Sequence, residues 1–302
     1  MGPSFPSQGG ETVSGETQAD SLIVGVVGAG TMGAGIAQAL LGSGHTVKLY
    51  EPQAENLERG VATIRAGLSR SVERRRTTEL ARTVALDRLT TGVDLSVLDG
   101  CAFVIEAAPE SPDLKRELFA RLGGMLPEAV LASNTSSLSI TGIASAAPRR
   151  ERVVGMHFFN PVHSMALVEV VAGDASSEDA LTATDDLARA MGKSPVRAAD
   201  TPGFIVNRVN RAFYSEALRM LGERTASVED VDSVLREAGG FPMGPFELMD
   251  LIGLDVNYAV TCSVYEAYFH EPRFRPHPIQ RRMIEAGRLG RKTGRGFYEY
   301  GE

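Results

Sequence analysis

The chain has no tryptophan and only two cysteines among its 302 residues. Cys101 and Cys262 are too few for a disulfide framework and lie far apart, without metal-ligand spacing. They point to a reducing, cytoplasmic compartment and read as buried small residues rather than nucleophiles. Long apolar runs are also missing. The run from Leu22 to Val27 is interrupted by glycine and is far too short to span a bilayer, so no membrane partner is expected. Positive charge is not in surplus either. A net charge of -7 argues against a protein built to hold nucleic acid, which needs clustered cations. No His/Cys cluster with metal spacing is present, and no metal is expected. Residues 1–21 carry Gly, Ser, Pro and Thr with little apolar content and no Arg, unlike a secretory signal or a mitochondrial presequence. They read as a disordered tail. Pro6 stands where a myristoylation signal wants Ser or Thr.

What remains is an ordinary globular composition, 43% hydrophobic and 23% charged, in a chain long enough for two domains. Short apolar runs at Leu22 to Val27, Val47 to Tyr50, Phe103 to Glu106, Val130 to Ser133 and Val153 to His157 read as strands. Helical stretches separate them, among them Gly33 to Leu41, Ala54 to Arg75 and Leu114 to Leu122. Such alternation predicts an α/β domain with a mostly parallel sheet and helices on both faces. Val168 to Ala172 and Ser194 to Arg197 read as further strands, with a helix from Ser177 to Met191 between them. Beyond Asp200 no convincing strand follows, only helices at Phe204 to Leu221, Val228 to Ala238, Pro245 to Asp250, Leu254 to Phe269 and His277 to Ala286. The boundary is therefore placed there, between residues 22–200 and an all-helical 201–302.

The first strand runs into Gly28-Ala29-Gly30-Thr31-Met32-Gly33, followed by a helix of small residues. In that context Gly28 permits a tight turn, Gly30 lets backbone approach a pyrophosphate, and Gly33 lets helix and strand pack closely. The helix N-terminus offers free N–H groups to phosphates. Glu51 ends the second strand at the roughly 20-residue distance where a carboxylate receives the adenosine ribose hydroxyls. A carboxylate there repels a 2′-phosphate, so NAD is expected over NADP; the nearest Arg, Arg59, lies one or two turns along.

Three further segments carry polar residues without an obvious packing role. The run Ser133-Asn134-Thr135-Ser136-Ser137 follows a strand end that should face the ligand crevice, although it also suits a cap feeding Ile140 to Ala144. His157 sits in GMHFFNP, and Glu169 in the apolar strand LVEVV. Flanked by apolar residues, Glu169 needs a partner, and an imidazole is an economical one. Paired, the carboxylate fixes the imidazole tautomer while the other ring nitrogen faces substrate, which suits alcohol oxidation with hydride leaving for a nicotinamide.

GAGTMGAGIAQ, VIEAAPE, SNTSSL, GMHFFNP with LVEVV, DTPGFIVNR, GPFELMDLIGLD and GRKTGRGFYEY, in this order, give the chain a resemblance to the L-3-hydroxyacyl-CoA dehydrogenase family, including the bacterial 3-hydroxybutyryl-CoA dehydrogenases. It covers nearly everything from Ile23 to Tyr300. The resemblance implies a Rossmann-like NAD-binding domain followed by a helical domain that forms a homodimer. It implies His157 as catalytic acid/base with Glu169 orienting it, and Ser136 and Asn207 beside the substrate hydroxyl or carbonyl. Ala107, Glu110, Lys115 and Asn134 are implied on the cofactor side, together with Thr31 and Met32 of the glycine loop. The implied substrate is a short-chain L-3-hydroxyacyl-CoA such as 3-hydroxybutyryl-CoA, with a hydroxyacyl group on an acyl carrier protein, as in polyketide extender-unit biosynthesis, as the alternative.

The sequence departs from the family after HFFNP. Many relatives read Val-Pro-Val-Met-Lys-Leu-Val-Glu, whereas His163 and Ala166 replace the proline and lysine. The resemblance therefore defines the thioester class more firmly than the acyl group. Arg65, Arg70, Arg74, Arg75 and Arg76 form a basic run that reads either as a solvated helix face or as an anchor for CoA phosphates or an acidic carrier surface. Two other functions fit parts of the pattern: oxidation of a free hydroxy acid, and NAD binding without turnover.

Overall fold

A computed structural model describes residues 21–301. The tail expected at 1–21 lies, apart from Ser21, outside the described residues. The described chain begins with strand β1 (Ile23–Val27), helix α1 (Thr31–Gly42), β2 (Thr46–Tyr50), α2 (Ala54–Glu73), α3 (Glu79–Asp87) and β3 (Leu89–Gly92). It continues through β4 (Phe103–Glu106), α4 (Pro112–Met125), β5 (Val130–Ser133), α5 (Ile140–Ala144), β6 (Val153–Phe158), β7 (Leu167–Ala172), α6 (Glu178–Ala190) and β8 (Ser194–Ala199). Five α-helices follow: α7 (Val206–Gly222), α8 (Val228–Glu237), α9 (Pro245–Ile252), α10 (Leu254–Ala267) and α11 (Pro278–Glu285).

The strands form one sheet of order β3-β2-β1-β4-β5-β6-β7-β8. All neighbours are parallel except β6 and β7. That exception follows from chain length: the connection from Phe159 to Ala166 is too short for the dozen or more residues a parallel crossover needs. The first six strands follow the doubly wound order 3-2-1-4-5-6, whose switch point between β1 and β4 is where such sheets bind ligands. Near-continuous apolar strands are explained by helices on both faces. One core layer joins Ile36, Leu40 and Ile64 of α1 and α2 to the sheet, and the other joins Phe119 and Leu122 of α4.

Two elements escaped the sequence reading. β3 is a short edge strand, LTTG, whose threonines do not form an apolar run. α3 begins at a Thr78 cap, where Ala81 N–H donates to the side chain, just past the arginine run. In the helical part, Tyr214, Leu218, Phe246, Met249 and Leu254 form a separate apolar cluster.

Candidate active site

The glycine loop joins β1 to α1 at the switch point. Gly28 has φ +99, and a Cβ there would lie 2.7 Å from Ala107 O. A Cβ on Gly33 would lie 1.9 Å from Gly28 O, so helix and turn touch only because that side chain is absent. Gly30 faces open space, with nothing within 4 Å of its virtual Cβ. No side chain caps α1, whose first-turn N–H groups stay available. A cleft of about 820 Å³ opens here, lined in part by Gly28, Gly30, Thr31, Met32, Glu51 and Ala107. Glu51 Oε2 accepts the Ala29 N–H at 3.1 Å and Oε1 the Gln53 N–H at 3.3 Å, which fixes the carboxylate at the end of β2. Open space at Gly30, free helix N–H groups and a fixed acid make a chemical fit for a dinucleotide.

His157 and Glu169 stand directly opposite each other in the antiparallel β6/β7 ladder. His157 is 6% exposed and Glu169 1%. His157 Nδ1 lies 2.7 Å from Glu169 Oε2, while Glu169 Oε1 accepts the N–H groups of Ile205 at 2.9 Å and Val206 at 2.8 Å. The imidazole is flanked by the rings of Phe159 and Phe204, at centroid distances of 4.6 and 5.8 Å. One nitrogen is thus committed to the carboxylate, and among the described residues Nε2 makes no hydrogen bond. This is the arrangement of a general base whose orientation is set by a third group.

Asn207, one residue into α7, donates its amide to Ser136 O at 3.4 Å, bringing together residues 71 apart in sequence. The Ser136 loop is gripped by Glu110. Its Oε1 accepts from Thr135 Oγ1 at 2.5 Å, Ser136 N at 3.1 Å, Ser137 Oγ at 3.1 Å and Ser136 Oγ at 3.4 Å. Burial pushes the Glu110 carboxyl up, but these donors and the Lys115 charge outweigh it and hold the group below its ordinary value. The capping role weighed for the same polar run falls to Ser139, whose hydroxyl accepts Gly142 N–H, with Asp200 holding Ile140 and Thr141 N–H.

Gly33, Glu110, Lys115 and Asn134 are not among the residues that line the cleft at the glycine loop. Asn134 Oδ1 accepts the Phe158 N–H at 2.9 Å and so ties β5 to the strand carrying His157. Lys115 is 1% exposed and sits behind Glu110, its ammonium 2.6 Å from Glu106 Oε1. Glu106 was missed by sequence reasoning as anything but a strand end. Its signal was a carboxylate closing a four-residue apolar strand, FVIE, with every residue buried. His163 lines a separate cavity of about 280 Å³ with Arg76, Arg82 and Lys193. The Cys101 thiol is buried and thereby pushed up to about 11, which removes it as a nucleophile.

Two family models match. Residues 23–201 match the NAD binding domain of 3-hydroxyacyl-CoA dehydrogenase, and residues 203–300 match its C-terminal domain. A 3-hydroxyadipyl-CoA dehydrogenase of Escherichia coli (strain K12) is 48% identical over 278 residues, 92% of this chain and 58% of that protein. The chain thus spans little more than half the length of that relative. A 3-hydroxybutyryl-CoA dehydrogenase of Bradyrhizobium diazoefficiens is 42% identical over 92% of this chain and 94% of its own length. The crystal structure of (S)-3-hydroxybutyryl-CoA dehydrogenase from Ralstonia eutropha superposes with a TM-score of 0.88 at 41% identity, covering 93% of this chain and 100% of that one. With both halves matched in order and the His157–Glu169 pair assembled, the chain belongs to the 3-hydroxyacyl-CoA dehydrogenase family.

Proposed function

We propose that this protein is an NAD-dependent dehydrogenase that interconverts an L-3-hydroxyacyl thioester and its 3-oxoacyl form, with short-chain acyl-CoA such as 3-hydroxybutyryl-CoA as substrate. The observation that carries the reading is His157, held by Glu169 at 2.7 Å with its second nitrogen free. Bound NAD supplies the hydride acceptor, or as NADH the donor. Gly28, Gly30, Thr31, Met32 and the N-terminus of α1 hold its pyrophosphate, and Glu51 its adenosine ribose. In oxidation His157 Nε2 takes the hydroxyl proton; in reduction it returns it. Ser136 of the loop after β5 and Asn207 of the first turn of α7, joined by a hydrogen bond, orient the reacting oxygen. Glu110, Lys115 and Asn134 support the cofactor side from behind.

The exposed arginine run on and after α2 supports a thioester carrier rich in phosphate. Arg65, Arg70, Arg74, Arg75 and Arg76 are exposed, and none forms a salt bridge among the described residues. Arg76 also lines the cavity shared by Arg82, His163 and Lys193. The same unpaired cations favour a second reading, in which the acyl group arrives on a carrier protein with an acidic surface.

The reading includes a division near Asp200 and a homodimer formed through the helical part. Exposed apolar side chains there, Val209 at 62%, Leu251 at 47% and Val256 at 48%, support the latter. Unpaired cysteines support a cytoplasmic location. No described helix is long and apolar enough to cross a membrane. The deciding experiment follows NADH absorbance with 3-oxoacyl-CoAs of increasing chain length, one carrier-protein thioester and a panel of free hydroxy acids. Turnover of acetoacetyl-CoA is expected; activity on free acids alone would sink the thioester reading.

A further inference from the structure

Glu106 ends β4 with 0% exposure, and the proton transfer proposed above makes no use of it. A buried carboxylate is costly unless each oxygen is compensated. Here Oε1 accepts from Lys115 Nζ at 2.6 Å and Ala108 N at 2.7 Å, and Oε2 from Ser133 Oγ at 2.6 Å. Each partner leads onward to the site. Ala108 lines the dinucleotide cleft. Lys115 Nζ lies 3.5 Å from Glu110 Oε2, and Glu110 takes the Thr135 hydroxyl at 2.5 Å. Ser133 Oγ accepts the Thr135 N–H at 3.3 Å. The two branches therefore meet at Thr135. They close a ring, Glu106–Lys115–Glu110–Thr135–Ser133, around the root of the loop that carries Ser136. A buried pair serving only to stabilise the strand would not need to reach both sides of that loop.

We propose that Glu106 is a positioning residue for the dehydrogenase reaction. Through this ring it sets the Ser136 loop on one side and the Ala107–Ala108 wall of the cofactor cleft on the other. The inference rests on the activity proposed above. In free energy the ring acts by pre-organisation: displacement of a positioned group by about 1 Å can cost on the order of 10²-fold in rate.

The test uses the full-length protein. In Glu106→Gln the side chain keeps its shape and can still accept from Lys115 and Ala108, but it withdraws the charge that faces Lys115, which then turns to Glu110. We expect kcat for acetoacetyl-CoA reduction to fall at least about 10-fold while the thioester KM moves less than about threefold. The NADH dissociation constant, read from enhancement of nicotinamide fluorescence, should rise. Ser133→Ala opens the ring on the substrate side alone, leaving the Glu106–Lys115 pair; kcat should fall and NADH binding stay unchanged. All rates are taken well below the measured melting temperature of each variant. A kcat within about twofold of wild type in either folded variant overturns the inference. If Glu106→Gln does not fold, Ser133→Ala decides by the same criterion. If the wild-type protein turns over no thioester, the activity reading fails, and Glu106 is then judged on NADH binding, where an unchanged dissociation constant in Glu106→Gln rejects it.

Discussion

Glu169 Oε1 accepts the backbone N–H of Val206 at 2.8 Å, so the carboxylate that orients His157 is anchored on the first helix after the sheet. Its other oxygen, toward His157, is consequently fixed in direction. Glu169→Gln should preserve the hydrogen bonds from Ile205 and Val206 but turn an amide N–H toward His157 Nδ1. That makes Nδ1 the acceptor and places the proton on Nε2, where a base is needed. Alcohol oxidation should fall by roughly 10²- to 10⁴-fold with NADH binding retained, measured by steady-state kinetics and fluorescence titration.

His157→Gln removes the group that carries the proton and leaves the glycine loop untouched. NAD binding should survive, and hydride transfer should fall by roughly 10²-fold or more. Single-turnover absorbance would record it, and unchanged turnover would remove His157 from the mechanism.

Glu110 titrates below its ordinary value of 4.5 because the Thr135 and Ser137 hydroxyls, the Ser136 backbone N–H and the Lys115 charge together outweigh burial. A carboxylate depressed on folding contributes stability above its unfolded value and loses it as pH falls through the folded one. Wild type should therefore melt above Glu110→Gln at neutral pH. The gap should close as pH drops below about 4.5. Thermal denaturation across pH 7 to 3 reads this; a gap that persists at the acid end contradicts it.

Glu51 lies in the cleft with both oxygens fixed by the N–H groups of Ala29 and Gln53. A 2′-phosphate placed beside it meets a like charge. Wild type should prefer NAD over NADP by more than about 10²-fold in kcat/KM, and Glu51→Gln should narrow the preference by about 10-fold. Parallel kinetics with the two cofactors measure both ratios.

Val209, Leu251 and Val256 leave apolar surface exposed on α7, α9 and α10. If that surface is covered by a second copy, size-exclusion chromatography with light scattering returns twice the chain mass. The double substitution Leu251→Asp, Val256→Asp should then shift the protein to monomer without loss of helix content. A monomeric wild type rejects the dimer.

Short-range physics made much of this protein legible. Strand, glycine turn and helix are each set by neighbours a few residues apart, so Gly28, Gly30, Gly33 and Glu51 could be assigned jobs that the cleft geometry now accommodates. An apolar strand interrupted by one carboxylate also signalled that Glu169 needed a partner. Edge strand β3 and helix α3 were invisible, because a threonine-rich edge and a short helix beyond an arginine run lack strong periodicity.

Tertiary structure alone decided the pairings. His157 faces Glu169 because a short connection forces β7 back antiparallel, in a register that sets them opposite. Asn207 meets Ser136 because Glu169 of β7 holds the start of α7, and His163, close in sequence to the catalytic segment, lines another cavity. Lys115 is buried against Glu106, a partner nine residues back that only the folded turn between β4 and α4 brings to it. Local sequence sets which way each side chain leaves its own strand or helix, but which residue it meets depends on chain crossings and burial that no short window contains.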